Sequence, residues 1–431
     1  MKRSLLLTVS LLCFLKSEAQ LPVDPALKQL ISEAIAYFPK LKEAELAHQV
    51  GEQRLDIARS AYYPNVSLNA SYLYVDPVSE ATFPVGQNQF RDLKFQPNNN
   101  FNAGVWFNYP VLDFGRALFF VKKANEELQQ SRLAVELNKA QLAAQVSSIY
   151  YSLTYFRQAV AIEDSVLAYL NANRNLIDSR VKNGDALQLD LLTVQSTISQ
   201  EENRKADLQN FLKKQINLLL YTANKTDVIS PADYNFPAIA TTTADALKMM
   251  EGNHEYKIAE SKIRAQEMDI KLNRANQYPV ISLNGAAGYR NGYQPEIDDM
   301  VLNGQAGITL SAPIFNGSKA RNSVKLSTLQ LKQTEQGLET VKNTYIRDVN
   351  QVFADVDAAN AHLVNVETQI KQANAANRIA TSRYANGTGT HVDILNAISN
   401  VQRAMLAKAN YQYQLCIAHI ELARVTGAAY Y

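Results

Sequence analysis

Two aspartates follow the same short motif at the same distance in this sequence, and their carboxylates could bind cations or cap a helix. Asp190 lies six residues after Gly184, and Asp393 lies six residues after Gly387. The two aspartates are 203 residues apart, and each follows an Arg-x-x-x-Gly motif. A carboxylate in the first turn of a helix can cap that helix by accepting backbone N–H groups. Capping is therefore one role that the spacing predicts.

The histidines of the sequence show no pattern of a metal site or a catalytic site. They are His48, His254, His362, His391 and His419, and their spacing fits no metal-binding motif. The sequence has no glycine-rich phosphate loop and no grouping of Ser, His and Asp. We therefore expect no enzyme, no metal and no cofactor. His391 lies near a turn, where we expect it to be solvated.

The first 19 residues have the pattern of a secretory signal peptide. Lys2 and Arg3 precede a mostly apolar run over 5–15, and a small-x-small cleavage site ends at Ala19. These residues hold three of the 43 basic and one of the 41 acidic residues, so the remainder has no formal net charge. We expect an exported chain, and its charge balance does not favour nucleic acid as a partner.

The rest of the chain is a duplicated segment of about 200 residues. The tip sequence at 179–184 returns at 382–387, and Pro110 returns as Pro313, all at the offset of 203. A repeat of this length indicates a duplicated domain rather than a solenoid. The predicted division is a first repeat at 20–221, a connector at 222–243 and a second repeat at 244–431.

Each repeat contains two segments that hold no charged residue and alternate between apolar and polar residues. The predicted strands are 64–75 and 101–112 in the first repeat and 279–289 and 303–315 in the second. Their length suits tilted strands that cross a bilayer, with tyrosines near both ends. In lipid every backbone group must be paired, so the sheet has to close. Four strands cannot close alone, and the eight strands of two chains would form a barrel filled with side chains. A conducting barrel therefore needs the twelve strands of three chains, so the sequence predicts at least a trimer. The alternative is a soluble antiparallel sandwich.

Long helices follow the second strand of each repeat. They are predicted at 115–182 and 317–385, with second helices at 187–221 and 392–425. Both long helices repeat apolar residues at four-three spacing in the same register, which is typical of coiled-coil packing. Shorter helical segments, roughly 24–61 and 244–277, lead into the first strand of each repeat. Loops at 76–100 and 291–303 join the strands.

Together these features resemble the TolC-type outer-membrane efflux family. The resemblance rests on Tyr63-Pro64 before a strand, on the strand-to-helix turn at 313–317, and on the duplicated tips. It implies a mixed α/β membrane protein, a homotrimer with twelve strands in a barrel in outer-membrane lipid and twelve helices in a periplasmic coiled-coil tunnel. It implies two partners, a periplasmic adaptor protein and an inner-membrane efflux pump or ABC transporter. The implied function is the passive exit duct of a tripartite efflux system.

The resemblance also implies roles for particular residues. The family's tunnel is held shut by contacts at the helix tips and narrowed by a ring of aspartates. The positions that match these contacts and this ring are Asp190, Tyr384 and Asp393. Such a ring would attract cations and repel anions. The adaptor would dock on the tips, at Asn183, Gly184, Asp185, Asn386, Gly387 and Thr388. Gly389 and Asn396 stand where the family can carry an arginine and a second acid.

Two other functions fit the same patterns. One is the outer-membrane channel of a type I secretion system, which exports protein or peptide. The other is an exported coiled-coil structural or adhesive protein, whose four strands would form a soluble domain.

Overall fold

The structure of this protein is a computed structural model that describes residues 23–86, 89–226, 233–428 and 430. The signal peptide expected at 1–19 lies outside the described residues. Within these ranges the chain has eight α-helices and six β-strands, so it belongs to the mixed α/β class. None of the described helices is both long and apolar enough to cross a membrane.

Two 67-residue helices dominate the fold. The helices are α1 Pro25–Tyr37, α2 Pro39–Arg59, α3 Arg116–Lys182, α4 Gln188–Ala223, α5 Thr243–Lys248, α6 His254–Ala275, α7 Lys319–Ala385 and α8 His391–Thr426. The strands are β1 Asn65–Tyr74, β2 Glu80–Gly86, β3 Gln89–Lys94, β4 Asn99–Leu112, β5 Val280–Arg290 and β6 Val301–Ser311. Short 3-10 turns occupy Ser60–Tyr62 and Met249–Gly252.

The chain divides into two compact units, each with residues from both repeats. The helical unit comprises the described parts of Met1–Ala44, Val135–Lys257 and Val341–Tyr431. The sheet unit comprises the described parts of Glu45–Ala134 and Ile258–Thr340. This division cuts across the repeats, whose boundaries stay a prediction from the sequence.

Four strands of the sheet unit form one antiparallel sheet in the order β1-β4-β5-β6. The centre of the sheet joins the repeats, because β4 of the first pairs with β5 of the second. Among the described residues, β1 and β6 are the two edges of this sheet. The remaining strands, β2 and β3, form a separate hairpin.

The register places apolar and polar residues on opposite faces of the sheet. One row pairs Val66, Phe107, Gly285 and Ala306, and the next pairs Ser67, Trp106, Ala286 and Gln305. Successive residues of a strand point to opposite faces, so the first row belongs to an apolar face. Leu68 and Ile308, on that same face, are 78% and 76% exposed. A single copy therefore presents a wide apolar surface of the kind that marks an interaction site.

The observed elements differ from the sequence-based bounds at four places. β6 ends at Ser311 rather than 315, because Pro313 has no N–H to pair and Ile314 is 98% exposed. The segment expected to be a single helix at 24–61 is split into α1 and α2. The split falls at Phe38, which is extended because it precedes Pro39.

The third difference is the β2–β3 hairpin, which lies in the segment expected to be a loop at 76–100. Its strands contain charged residues and a proline, so they lack the uncharged alternation that marks the other four. In the second repeat, the helical segment expected at 244–277 is likewise divided, into α5, a 3-10 turn and α6.

The predicted apolar seam of α3 is the buried stripe of the helical unit. Leu142, Val146, Ile149 and Leu153 are each at most 3% exposed. Nearer the tips, side chains of α3, α4 and α8 form a second cluster around Leu170, Ile177, Val194 and Val401. Burying an aliphatic side chain contributes about 1.5–3 kcal/mol, so this seam is a main source of stability for the unit.

The duplication extends to an ion pair between the two helices of each hairpin. Lys205 Nζ lies 2.6 Å from Asp164 Oδ1, and Lys408 Nζ lies 2.6 Å from Glu367 Oε1. Both members of the first pair return 203 residues later as members of the second. The α3–α4 and α7–α8 hairpins therefore repeat the same internal contact.

Candidate functional site at the helix tips

Both long helices end in the same glycine turn. Gly184 and Gly387 have φ values of +83° and +73°, a conformation that favours glycine. In each tip, the N–H of the glycine and the N–H of the residue after it donate hydrogen bonds to carbonyls of the last helical turn. These bonds are Gly184 N to Val181 O, 3.0 Å; Asp185 N to Arg180 O, 2.8 Å; Gly387 N to Tyr384 O, 3.1 Å; and Thr388 N to Arg383 O, 2.9 Å. The paired bonds form Schellman motifs, which satisfy carbonyls that the helix leaves free.

The six residues predicted to dock an adaptor share one property, which is exposure. They are Asn183, Gly184, Asp185, Asn386, Gly387 and Thr388. Their side chains are accessible in a single copy, and their docking role stays a prediction.

Asp393 caps the helix in which it lies. Thr390 is the N-cap residue of α8, and its hydroxyl accepts a hydrogen bond from the Asp393 N–H at 3.3 Å. In return, Thr390 N–H donates to Asp393 Oδ2 at 2.9 Å, which completes a capping box. The backbone bond and then the hydroxyl of Thr390 lower the pKa of Asp393. The exposed carboxylate therefore has a structural role at the second tip.

Asp190, at the matching position of the first tip, has different surroundings. The N-cap residue of α4 is Leu187, which has no side-chain oxygen for a capping bond. Asp190 is half-buried, and its N–H donates to Leu187 O at 3.0 Å. The two aspartates differ because Leu187 replaces Thr390 between the repeats. Capping thus accounts for Asp393 but not for Asp190, and the aspartate ring stays a prediction for both.

Tyr384, the third predicted residue, lies between two side chains, Arg180 and His391, that the residue patterns did not indicate as part of the site. The guanidinium carbon of Arg180 is 4.8 Å from the centroid of the half-buried Tyr384 ring. The ring of His391 lies 5.8 Å away, centroid to centroid, at 60°. Arg180 lies in the last turn of α3, Tyr384 lies in the last turn of α7 and His391 begins α8, so this small cluster joins the two hairpins.

The expectation that His391 is solvated is wrong. The residue is 2% exposed, and neither ring nitrogen has a hydrogen-bond partner among the described residues. Burial lowers the pKa of His391, and the charge of Asp190 acts in the opposite direction. Helical spacing could have revealed this burial, because His391 shares a face with the buried residues Ile394, Leu395 and Ile398.

An open cavity of about 250 Å³ lies beside this cluster. Its lining includes Arg180, Tyr384, Ile394 and Asn173. The Asn173 amide nitrogen is buried and has no hydrogen-bond partner among the described residues. Open space therefore remains next to the Arg180–Tyr384 contact.

Known proteins share both the sequence pattern and the fold of this chain. The family model described as "Outer membrane efflux protein" matches residues 30–223 and 248–428. The outer membrane protein OprJ of Pseudomonas aeruginosa is 24% identical over 417 residues, which cover 95% of this chain and 85% of OprJ. The toluene efflux pump outer membrane protein TtgC of Pseudomonas putida is 22% identical, covering 95% of this chain and 84% of TtgC. A crystal structure of a membrane protein from P. aeruginosa has the same fold, with a TM-score of 0.83, 21% identity, and coverage of 95% of this chain and 92% of that one.

Proposed function

This chain belongs to the outer membrane efflux protein family, and from that premise we propose that three copies form the exit channel of a tripartite efflux system. The family is one of channel proteins of the Gram-negative outer membrane rather than of enzymes. The proposed channel is a passive conduit: an inner-membrane pump supplies the energy, and a periplasmic adaptor connects the pump to the tips of the tunnel.

The observation that carries the proposal is the four-stranded sheet with one apolar face and two free edges. Among the described strands, β1, β4 and β6 contain no charged residue, and β5 has only Arg290 at its end. In lipid, the unpaired backbone groups of β1 and β6 must find partners. Pairing β6 of one copy with β1 of the next satisfies both edges. Three copies then give twelve strands, enough to enclose a lumen with the polar face inside.

The cargo that we propose is small molecules. The relative TtgC is named for toluene efflux, and its similarity covers 95% of this chain and 84% of TtgC. The polar face of the sheet carries Ser67, Asn284 and Gln305, which bear no charge and select weakly between solutes. This support favours efflux over the protein export of a type I secretion system.

The proposal is tested on the protein extracted from membranes in detergent. Electron microscopy should show hollow particles with three-fold symmetry, and the same material should produce steps of ion conductance in planar bilayers. A monomer that salt washes off membranes and gives no conductance would contradict the channel and favour the exported structural protein instead.

A further inference from the structure

We propose that Trp106 is the centre of a carbohydrate-binding site on the polar face of the sheet, where its indole stacks on the ring of a neutral sugar. The proposal rests on the channel function proposed above, because only a closed barrel turns this polar face toward a lumen. It identifies one class of solute, uncharged and rich in hydroxyl groups, that the lumen would hold.

Trp106 is the one tryptophan of the chain, and no other described residue on the polar face of the sheet is aromatic. Its direct neighbours on the adjacent strands are Ser67 and Ala286, which are small. In the next row of the same face, Gly104 pairs with Gly288 and neither has a side chain. The indole is half-buried, so part of its surface stays open. An accessible aromatic face on an otherwise polar surface can stack on a ring-shaped solute.

The indole lies in an open cavity of about 380 Å³, which is large enough for a small solute. Four amide side chains line this cavity with Trp106, and they are Asn65, Asn108, Asn284 and Gln305. The three asparagines form one row across the strands, and Trp106 and Gln305 belong to the adjacent row. Side chains directly opposite one another have Cβ atoms about 4.5–5.5 Å apart, so the amides surround the indole at distances that a sugar ring spans.

Most of these amides have hydrogen-bonding capacity to spare. Asn284 Nδ2 donates to Thr309 Oγ1 at 2.7 Å, and this bond orients the Asn284 amide. Among the described residues, the side chains of Asn65, Asn108 and Gln305 have no hydrogen-bond partner. Each amide offers both donor hydrogens and an acceptor oxygen. A sugar hydroxyl also donates and accepts, so the lining is complementary to it.

The charge of the lining separates this class of solute from others. The described residues that line the cavity include no Asp, Glu, Lys or Arg, so a charged solute would find no opposite charge there. A purely apolar ring would stack on the indole but would gain no hydrogen bond from the amides. A neutral sugar uses both parts of the site. Binding should be weak, because a solute in a conduit has to leave as readily as it enters.

The site occurs once in each copy. The residue 203 positions after Trp106 is Thr309, so the second repeat has no matching ring. Three copies would therefore carry three sites at one level of the lumen. A sugar bound at any of them would narrow the path for ions, which makes binding measurable as interruption of the current.

The first test is the fluorescence of the protein extracted in a detergent without a sugar headgroup and titrated with maltotriose. Trp106 is the one tryptophan, so a change in tryptophan emission reports on this site. We expect a saturable change at millimolar concentrations, and none with polyethylene glycol of similar size. Asn108→Ala should weaken binding by roughly 2-fold to 10-fold. Asn102→Ala is the matched control on the same strand and face, about 13 Å from Trp106, and should leave binding unchanged.

The second test is conductance in planar bilayers with maltotriose on one side. The sugar should interrupt the current of the unaltered protein, Trp106→Phe should keep part of this block, and Trp106→Leu should lose it. Asn108→Ala alters an exposed side chain and should fold even if Trp106→Leu does not. A conducting protein whose fluorescence responds to benzyl alcohol but not to maltotriose would overturn the proposal, as would one that responds to neither. Absence of conductance from the unaltered protein would instead contradict the channel function.

Discussion

Glu163 on α3 and Glu201 on α4 accept hydrogen bonds from the same amide nitrogen, that of Gln402 on α8. The distances from Gln402 Nε2 are 2.9 and 2.7 Å to the two oxygens of Glu163 and 2.6 Å to Glu201 Oε2. Glu163 is fully buried. Burial raises the pKa of Glu163 to about 7, although the Gln402 bond acts against the rise, and the charge of Glu201 adds to it. A proton therefore leaves this buried pair near neutral pH.

The first prediction concerns Glu163→Gln and the pH dependence of stability. The pKa of Glu163 in the fold lies above its ordinary value of 4.5, so protonation of Glu163 stabilises the fold. This contribution to the free energy of unfolding is fully present below about pH 4.5. This stabilisation, about 3 kcal/mol at most, is lost as the pH rises through about 7. Glu163→Gln keeps an oxygen for Gln402 and cannot ionise, so it should be more stable than the unaltered protein at pH 8. Unfolding temperatures measured in detergent from pH 5 to pH 8.5 would show the difference.

Glu202→Gln is the control for this experiment, since Glu202 is the exposed neighbour of Glu201. It should follow the unaltered protein at every pH. A Glu163→Gln curve parallel to that of the unaltered protein would show that Glu163 stays ionised throughout, contrary to the prediction.

The second prediction separates the charge of Asp393 from its capping bonds. Asp393→Asn keeps an acceptor for the Thr390 N–H and removes the charge, whereas Asp393→Ala removes both. If the carboxylates form a ring in the lumen, Asp393→Asn should weaken cation selectivity and block by divalent cations, and it should lower stability less than Asp393→Ala does, because Asn keeps the capping acceptor. Single-channel recordings with asymmetric salt measure the selectivity. Unchanged selectivity in both Asp393→Asn and Asp190→Asn would leave only the capping role for Asp393.

The third prediction concerns the pair Gly104 and Gly288 at the centre of the sheet. A Cβ added to Gly288 would lie 2.3 Å from Ala103 O and 2.4 Å from the Gly104 Cα, both backbone atoms. Gly288→Ala should therefore force β4 and β5 apart and reduce the amount of protein that assembles in the outer membrane. Gly307→Ala is the control, because its Cβ would meet no atom within 4 Å among the described residues. Equal yields of both variants in outer-membrane fractions would contradict this view of the strand pairing.

The fourth prediction concerns Asp24, which joins α1 to α3. Its Oδ1 accepts from the Ala26 N–H at 2.9 Å, as the N-cap of α1, and its Oδ2 accepts from the buried Tyr150 hydroxyl at 3.0 Å. Asp24→Ala loses both bonds and should destabilise the helical unit by about 2–3 kcal/mol. Asp24→Asn keeps one oxygen for the cap and should lose only about 1 kcal/mol.

Tyr150→Phe provides the complementary measurement for Asp24. It removes the hydroxyl alone and should match Asp24→Asn in chemical unfolding. The double variant Asp24→Asn/Tyr150→Phe should be no less stable than either single variant, because the shared bond is already lost. Full additivity of the two changes would show that the bond does not form.

Residue patterns alone were sufficient where one local rule decides the structure. Alternation in an uncharged segment predicted the strands that became β1, β4 and β5, and their register confirms the two faces assigned from the sequence. Four-three spacing identified the buried stripe at Leu142 and Val146. Asn-Gly pairs predicted the glycine turns at Gly184 and Gly387. In each case the side-chain period and the backbone preference agree.

The contacts that form the site could not be predicted from local sequence patterns, because they join residues far apart in the sequence. Arg180 and Tyr384 are 204 residues apart, and their contact follows from how two hairpins pack. Gln402 is an ordinary polar residue in the sequence, and its role appears only when α3 and α4 bring two carboxylates to it. The different roles of Asp190 and Asp393 depended on the residue three positions earlier, Leu187 or Thr390, which the repeat alignment treats as equivalent.

The two edge strands of the sheet set a limit on how the proposed channel can be made. Before it meets its partners, a newly exported copy carries unpaired backbone groups along β1 and β6 beside an apolar face. Such edges are templates for aggregation, and nothing among the described residues covers them. The proposed channel needs three copies, whereas an aggregate can grow one copy at a time. Overproduction should therefore favour insoluble material over channels, and the yield of channels should rise when synthesis is slowed.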